Sequence, residues 1–330
     1  MTWHLDDRVR ARTAAPASRR PFRPLRLLTL LPLPLLSACA SGGTERGGGP
    51  TPRPDALVTD YVSANITPQP DSLELDSLFY RKYTDAAGIP VVSSARVPDA
   101  ALLVARDIVV HMLLRRPDLR EHMAAHGQRV GIMSVDETTT DMPEQRDWKK
   151  PAYDDPRLTA GERAQYYEPG GIASMTDREY WARRARGMGG RYTTGAEENV
   201  LGYPGTRYFG ENILVHEFSH AVHGAIRRVD PELAAAIQAA YDTALEAGRF
   251  PGHYAANTVA EYWAEGTQWW FGSNYEACFD DVVLYTPEDL AAYDPELFRL
   301  LGRVYPDHRI PMDVHRGLNV RSCRDRVSGR

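Results

Sequence analysis

His216 and His220 stand four residues apart in the run His216-Glu217-Phe218-Ser219-His220. This spacing constrains the fold more than any other feature of the chain. On an α-helix, residues four apart lie on one face, so two imidazoles can converge on one ion while Glu217 reaches a water held beside it. Ile213, Leu214 and Val215 before the run, with Phe218, Ala221 and Val222, supply the apolar packing of a buried helix. The pattern predicts a helix over about 211–228.

Such a pair points to zinc, whose catalytic sites take three protein ligands and keep one position open. A third His at the end of the extended HExxHxxGxxH pattern is excluded, because His223 stands where Gly belongs and Ile226 where His belongs. The remaining candidates are a Glu on a later helix or a scattered His such as His253 or His308. Glu261 and Glu265, four apart in NTVAEYWAE, share one helix face. One can bind the ion while the other orients a ligand His from behind. Their neighbours Tyr262, Trp263, Trp269, Trp270 and Phe271 argue against a solvated helix face.

The rest of the body reads as mostly helical. Apolar positions recur at helical spacing over 99–125, with a break expected at Pro117. Further helices are expected over about 231–247 and 258–271. A strand is predicted within 128–135 and a second over 198–201. Residues 142–192 are rich in Pro, Gly, Asp and Tyr and read as long ordered loops, which in a compact domain are often functional. Helices with a few strands that do not alternate regularly with them indicate an α+β fold, not a doubly wound parallel sheet.

The run HEFSHAVH, followed by Tyr254 and then by Glu261 seven residues later in YAANTVAEYWAE, resembles the gluzincin family of lethal-factor-like and Pro-Pro endopeptidases. The Ala260-Glu261-Tyr262-Trp263-Ala264-Glu265 segment matches that family's aromatic-rich AExxAE pattern. The resemblance implies a zincin-like α+β domain with an active-site helix, a later glutamate-bearing helix and a small mixed sheet. It implies one catalytic Zn2+ held by His216, His220 and Glu261, with Glu217 as general base, Tyr254 stabilising the oxyanion and Glu265 behind a ligand. It also implies an edge strand beside the helix that aligns extended peptide, a role open to 129–135 or 198–201. Ser219 and His223 replace the Gly and Asp of lethal factor's own motif, and neither is a ligand. The expected activity is zinc-dependent hydrolysis of peptide bonds in a peptide or protein substrate. The alternative is a non-catalytic surface lipoprotein that binds zinc or peptide with the same fold.

The amino-terminal residues read as an address. Residues 1–38 carry seven Arg against Asp6 and Asp7, and 25–36 is a Leu-rich run broken by Arg26, Thr29, Pro32 and Pro34. A membrane-spanning helix needs about 20 apolar residues, so this is read as an export signal. Leu36-Ser37-Ala38-Cys39 looks like a bacterial lipobox, with Cys39 as the lipidated first residue of the mature chain. Arg19-Arg20 and its neighbours resemble a twin-arginine motif. Residues 39–56 read as a Gly/Pro-rich tether, and 57–330 as the catalytic domain, with 57–128 a helical amino-terminal portion. The expected location is outside the cytoplasmic membrane, on that membrane or the outer one, held by a lipid anchor. An oxidising compartment permits a disulfide between Cys278 and Cys323. A formal charge of −5 over 330 residues gives no basic stripe for nucleic acid.

Overall fold

The computed structural model describes residues 66–311 apart from 157, 159, 280 and 281. The chain divides into two units, 1–52 and 53–330, and every described residue belongs to the second. The export signal, the tether, Cys39 and Cys323 lie outside the described residues.

One mixed sheet has the order β1-β2-β3-β4, formed by Lys82–Ala86, Ile89–Ser93, Arg129–Met133 and Tyr192–Ala196. β1 and β2 make an antiparallel hairpin whose turn residues Ala87 and Gly88 both have positive φ, 54° and 94°. Turns of that kind match the twist of the strands they join. β2, β3 and β4 run parallel, and parallel neighbours require long crossovers. The first crossover is α1 (Asp99–Met112) and α2 (Pro117–Ala125). Pro117 takes the first position of α2, where a missing N–H leaves no helical bond unmade. α1 buries Leu102, Ile108 and Val109 and packs across β1, β2 and β3.

The second crossover covers the segment expected to be ordered loop. It is largely irregular but carries α3 (Ala160–Ala164) and α4 (Asp177–Arg184). Thr176 and Glu179 cap α4 reciprocally. Leu158, Tyr166, Ile172, Tyr180 and Trp181 form a separate small core beneath this segment, which orders it without helical or strand periodicity.

Two strand expectations change. Residues 198–201 are not a strand, because Glu197–Val200 form the single turn α5 directly after β4. Thr193 and Thr194 satisfy their backbone on β3, whereas the chain must turn at Glu197 to bring Asn199 under the next helix. β3 is also interior, not an edge, since β4 lies outside it. The 57–128 segment is not all helical, as the β1–β2 hairpin precedes α1.

α6 (Ile213–Val229), α7 (Pro231–Glu246) and α8 (Val259–Phe271) stand where the periodicity placed three helices. Asn212, Asp230 and Thr258 cap them by accepting a first-turn backbone N–H. α6 packs against β4 on one side of its contact surface and α8 on another. Leu214, Phe218, Val222, Trp263, Trp269 and Phe271 are all fully buried there. Burial of a side chain such as Phe218 or Phe271 stabilises by roughly 1.5–3 kcal/mol. The small hairpin β5 (Ala277–Phe279) and β6 (Val282–Leu284) follows, then α9 (Pro287–Tyr293) and α10 (Pro295–Leu301). Cys278 in β5 is disulfide-bonded; the chain's other cysteines, Cys39 and Cys323, both lie outside the described residues. Among the described residues no helix is long and apolar enough to cross a membrane.

Candidate metal centre

The start of α6 is held from two sides. Asn212 accepts the Val215 N–H at 3.2 Å, and Asn199 Oδ1 accepts the Ile213 N–H at 2.8 Å. The Asn199 amide in turn donates to the carbonyls of Tyr208 (3.1 Å) and Glu211 (2.7 Å). These bonds set the rotation of α6, and with it the face on which His216 and His220 lie.

Glu261 comes from the first turn of α8, where Thr258 Oγ1 accepts its N–H at 3.2 Å. Its Oε2 lies 3.1 Å from His216 Nε2 and 3.5 Å from His220 Nε2. All three ligand atoms fall within 4.8 Å of one another, the one such group among the described residues. A tetrahedral zinc with bonds of about 2.0–2.1 Å sets its ligands about 3.4 Å apart. Two imidazole nitrogens and a carboxylate oxygen at this spacing therefore fit zinc. The scattered histidines do not join them. His253 Nδ1 accepts the Ala255 N–H at 3.2 Å, and the His308 ring packs on Trp270.

The charges around the centre follow from these distances. Burial would raise the Glu261 carboxyl, but His216 and His220 hold it at about 2, ionised as a ligand must be. Burial would lower His216, but hydrogen bonding to Glu261 and the charges of Glu217 and Glu265 carry it up to about 10. Burial also raises Glu217; the two histidines oppose this and the Glu261 charge adds to it.

Behind the ligands, His216 Nδ1 meets Gln268 Oε1 at 2.9 Å. An amide oxygen only accepts, so Nδ1 carries a hydrogen toward Gln268, and Nε2 is the nitrogen that faces Glu261 and would give its lone pair to a metal once its proton is displaced. Gln268 is itself held by donating to the Asn212 carbonyl at 3.1 Å. Glu265, the residue expected behind the histidine, has Oε1 3.8 Å from the same Nδ1 and accepts from Asn274 Nδ2 at 2.6 Å. Gln268 is thus the direct partner. Its signal was visible in sequence, since 261, 265 and 268 share one helical face.

Tyr254 opens a short 3-10 turn, Tyr254–Ala256, between α7 and α8. Its ring centroid lies 6.4 Å from that of His216, and it is 41% exposed, open to an incoming molecule. Burial and the Glu261 charge push its hydroxyl up to about 12, against Arg184, which hydrogen-bonds to it. Arg184, at the end of α4, is anchored by Glu162 at 3.1 Å and has no local sequence signature. His223 turns away into packing, with its ring 6.1 Å from that of Trp263.

The backbone beside α6 is neither 129–135 nor 198–201. Met188 pairs with the outer edge of β4 through reciprocal bonds to Thr194 of 3.2 and 2.9 Å. Next to it, a Cβ on Gly189 would lie 2.9 Å from His220 Cβ and 3.1 Å from Glu217 Oε2. A side chain there would displace Glu217 or His220, so this close approach requires glycine.

No protein-family model matches the chain, and no curated protein is similar to it by sequence. Among solved structures it is similar to the Pro-Pro endopeptidase PPEP-2 from Paenibacillus alvei, at 15% identity and a TM-score of 0.41. That likeness covers 65% of this chain and 97% of the other.

Proposed function

We propose that the chain is a zinc peptidase of the gluzincin type, with His216, His220 and Glu261 as ligands. The observation that carries this reading is the placement of Glu261 Oε2 at 3.1 and 3.5 Å from the two Nε2 atoms. Zinc, when bound, supplies Lewis-acid polarisation of water and of a carbonyl. Glu217 accepts the proton of the attacking water and returns it to the departing amine. The exposed Tyr254 hydroxyl donates to the oxygen that gains charge as the carbonyl is attacked, a contribution of roughly 2.7–4 kcal/mol for a well-placed donor. Gln268 keeps His216 in the tautomer that ligates. An extended substrate would lie along the Gly189 segment, where backbone approaches Glu217 without intervening side chains.

Glu217→Gln tests the reading. Zinc retained with hydrolysis lowered about 10²–10⁴-fold supports it, and zinc retained with full hydrolysis overturns it. We also propose that export ends in a lipid on Cys39, which holds the domain at a membrane surface through the 39–56 tether.

A further inference from the structure

A groove of about 590 Å³ opens beside the metal centre, with His220 at one end. It runs between α2 and the carboxyl-terminal half of α6, and His122, His126, Gln128, Arg191 and Arg228 contribute to its walls. None of the residues lining it is a carboxylate, although the whole chain carries a formal charge of −5. Both guanidiniums are free of ion-pair partners among the described residues, whereas Arg116, Arg129, Arg186 and Arg299 each engage a carboxylate. Both arginines are exposed and carry their charge into a groove whose lining holds no carboxylate to answer it, so the groove attracts an anion.

The wall that carries Arg191 is built. Gln128 Nε2 donates to the Gly190 carbonyl at 3.1 Å and to Thr193 Oγ1 at 3.0 Å. Gly190 has φ +112°, a conformation that side chains rarely adopt. On the opposite wall the His122 and His126 rings stack at 4.0 Å.

We propose that this groove is a subsite for an acidic side chain of the peptide substrate, with Arg228 and Arg191 as its specificity-determining residues. The inference rests on the peptidase reading above. His220 and Arg228 are eight residues apart on α6, about 12 Å along the helix axis at about 1.5 Å per residue. An extended peptide advances about 3.3 Å per residue, so the acidic residue lies three or four positions from the scissile bond. Continuity with His220 favours a peptide over a separate polyanion, since the same chain can occupy groove and metal centre together.

The test uses the full zinc-loaded chain and end-blocked peptides that differ by Glu or Gln at each position up to four residues on either side of the cleaved bond. At one of the positions three or four residues away, the Glu peptide is expected to have at least a ten-fold higher kcat/KM. That ratio should fall to one or below in Arg228→Glu or Arg191→Glu and persist in Arg228→Lys. Fluorescence anisotropy on the Glu217→Gln chain supplies a second readout, with tighter binding of the Glu peptide that weakens as salt is raised. Equal kcat/KM and equal binding for Glu and Gln peptides overturn the subsite while leaving the peptidase reading intact. Arginine-dependent preference in binding with no hydrolysis by the wild type keeps the subsite and removes the peptidase reading. Loss of the preference in Arg228→Lys as complete as in Arg228→Glu also overturns it, because charge would not be the cause.

Discussion

The pairing of His216 with His220 was legible because a four-residue spacing on a helix sets both on one face, whereas Glu261 was picked out from Glu265, and Tyr254 from the other tyrosines, only by the family resemblance. Gln268 shares a helical face with Glu261 and Glu265, but which of them meets His216 Nδ1 depends on where the side chains point and not on their spacing. Its removal is informative. Gln268→Ala leaves all three ligands in place but frees the His216 ring, and metal affinity should fall about 10–100-fold in chelator competition. Unchanged affinity would show that Glu265, 3.8 Å away, orients the ring unaided. His223 gives a second residue-scale expectation. Burial, Arg227 and His220 hold it down to about 4 in the folded chain, against an ordinary value of 6.5. The unfolded chain takes up that proton first, so the stability contributed is complete above pH 6.5 and is lost as pH falls toward 4. The loss across this window is roughly 3 kcal/mol. His223→Phe, measured without metal, should therefore show a smaller fall in Tm between pH 6.5 and 4.5 than the wild type. Parallel falls would place the acid sensitivity elsewhere.

At the scale of elements, the three helices α6, α7 and α8 were legible because each carries a full apolar stripe behind a side-chain cap at its amino-terminal end. The sheet was less so. β4 is a short parallel strand buried from Thr193 to Ala196, so it lacks the polar–apolar alternation that marks a half-solvated strand. The glycine segment next to it was opaque for a different reason: close approach between backbone and helix is a tertiary fact. Gly189→Ala would set a Cβ against the His220 Cβ, which cannot swing aside. Overpacking of this kind costs about 1–3 kcal/mol, and displacement of Glu217 or His220 should lower kcat/KM at least ten-fold. Gly224→Ala is the contrast, since a Cβ there meets nothing within 4 Å and alanine favours the helix by up to about 1 kcal/mol. Equal effects of the two substitutions on thermal stability and kcat/KM would contradict the close-approach reading.

For the whole molecule, the modest overall charge averages two unlike parts. Without residues 1–38 and their seven Arg, Asp6 and Asp7, the formal charge moves from −5 to −10. A domain so acidic is repelled by anionic lipid, so attachment to a membrane would depend on the lipid on Cys39. Mass spectrometry of the native chain should then find an acylated amino terminus at Cys39, and an unmodified terminus elsewhere would remove the anchor. The basic groove beside His220 stands out against this acidic background as a place for substrate, not membrane. The fold brings Glu261 of α8 to His216 and His220 of α6, with Glu217 and the Tyr254 hydroxyl close by. The most direct measurement is cleavage of a mixed peptide library by the zinc-loaded chain, with bound zinc quantified in the same sample. One zinc per chain and cleavage that is abolished by chelator, restored by zinc and lost in Glu217→Gln is the expected result. One tightly held zinc with no peptide cleaved, or cleavage that survives chelation, would contradict it.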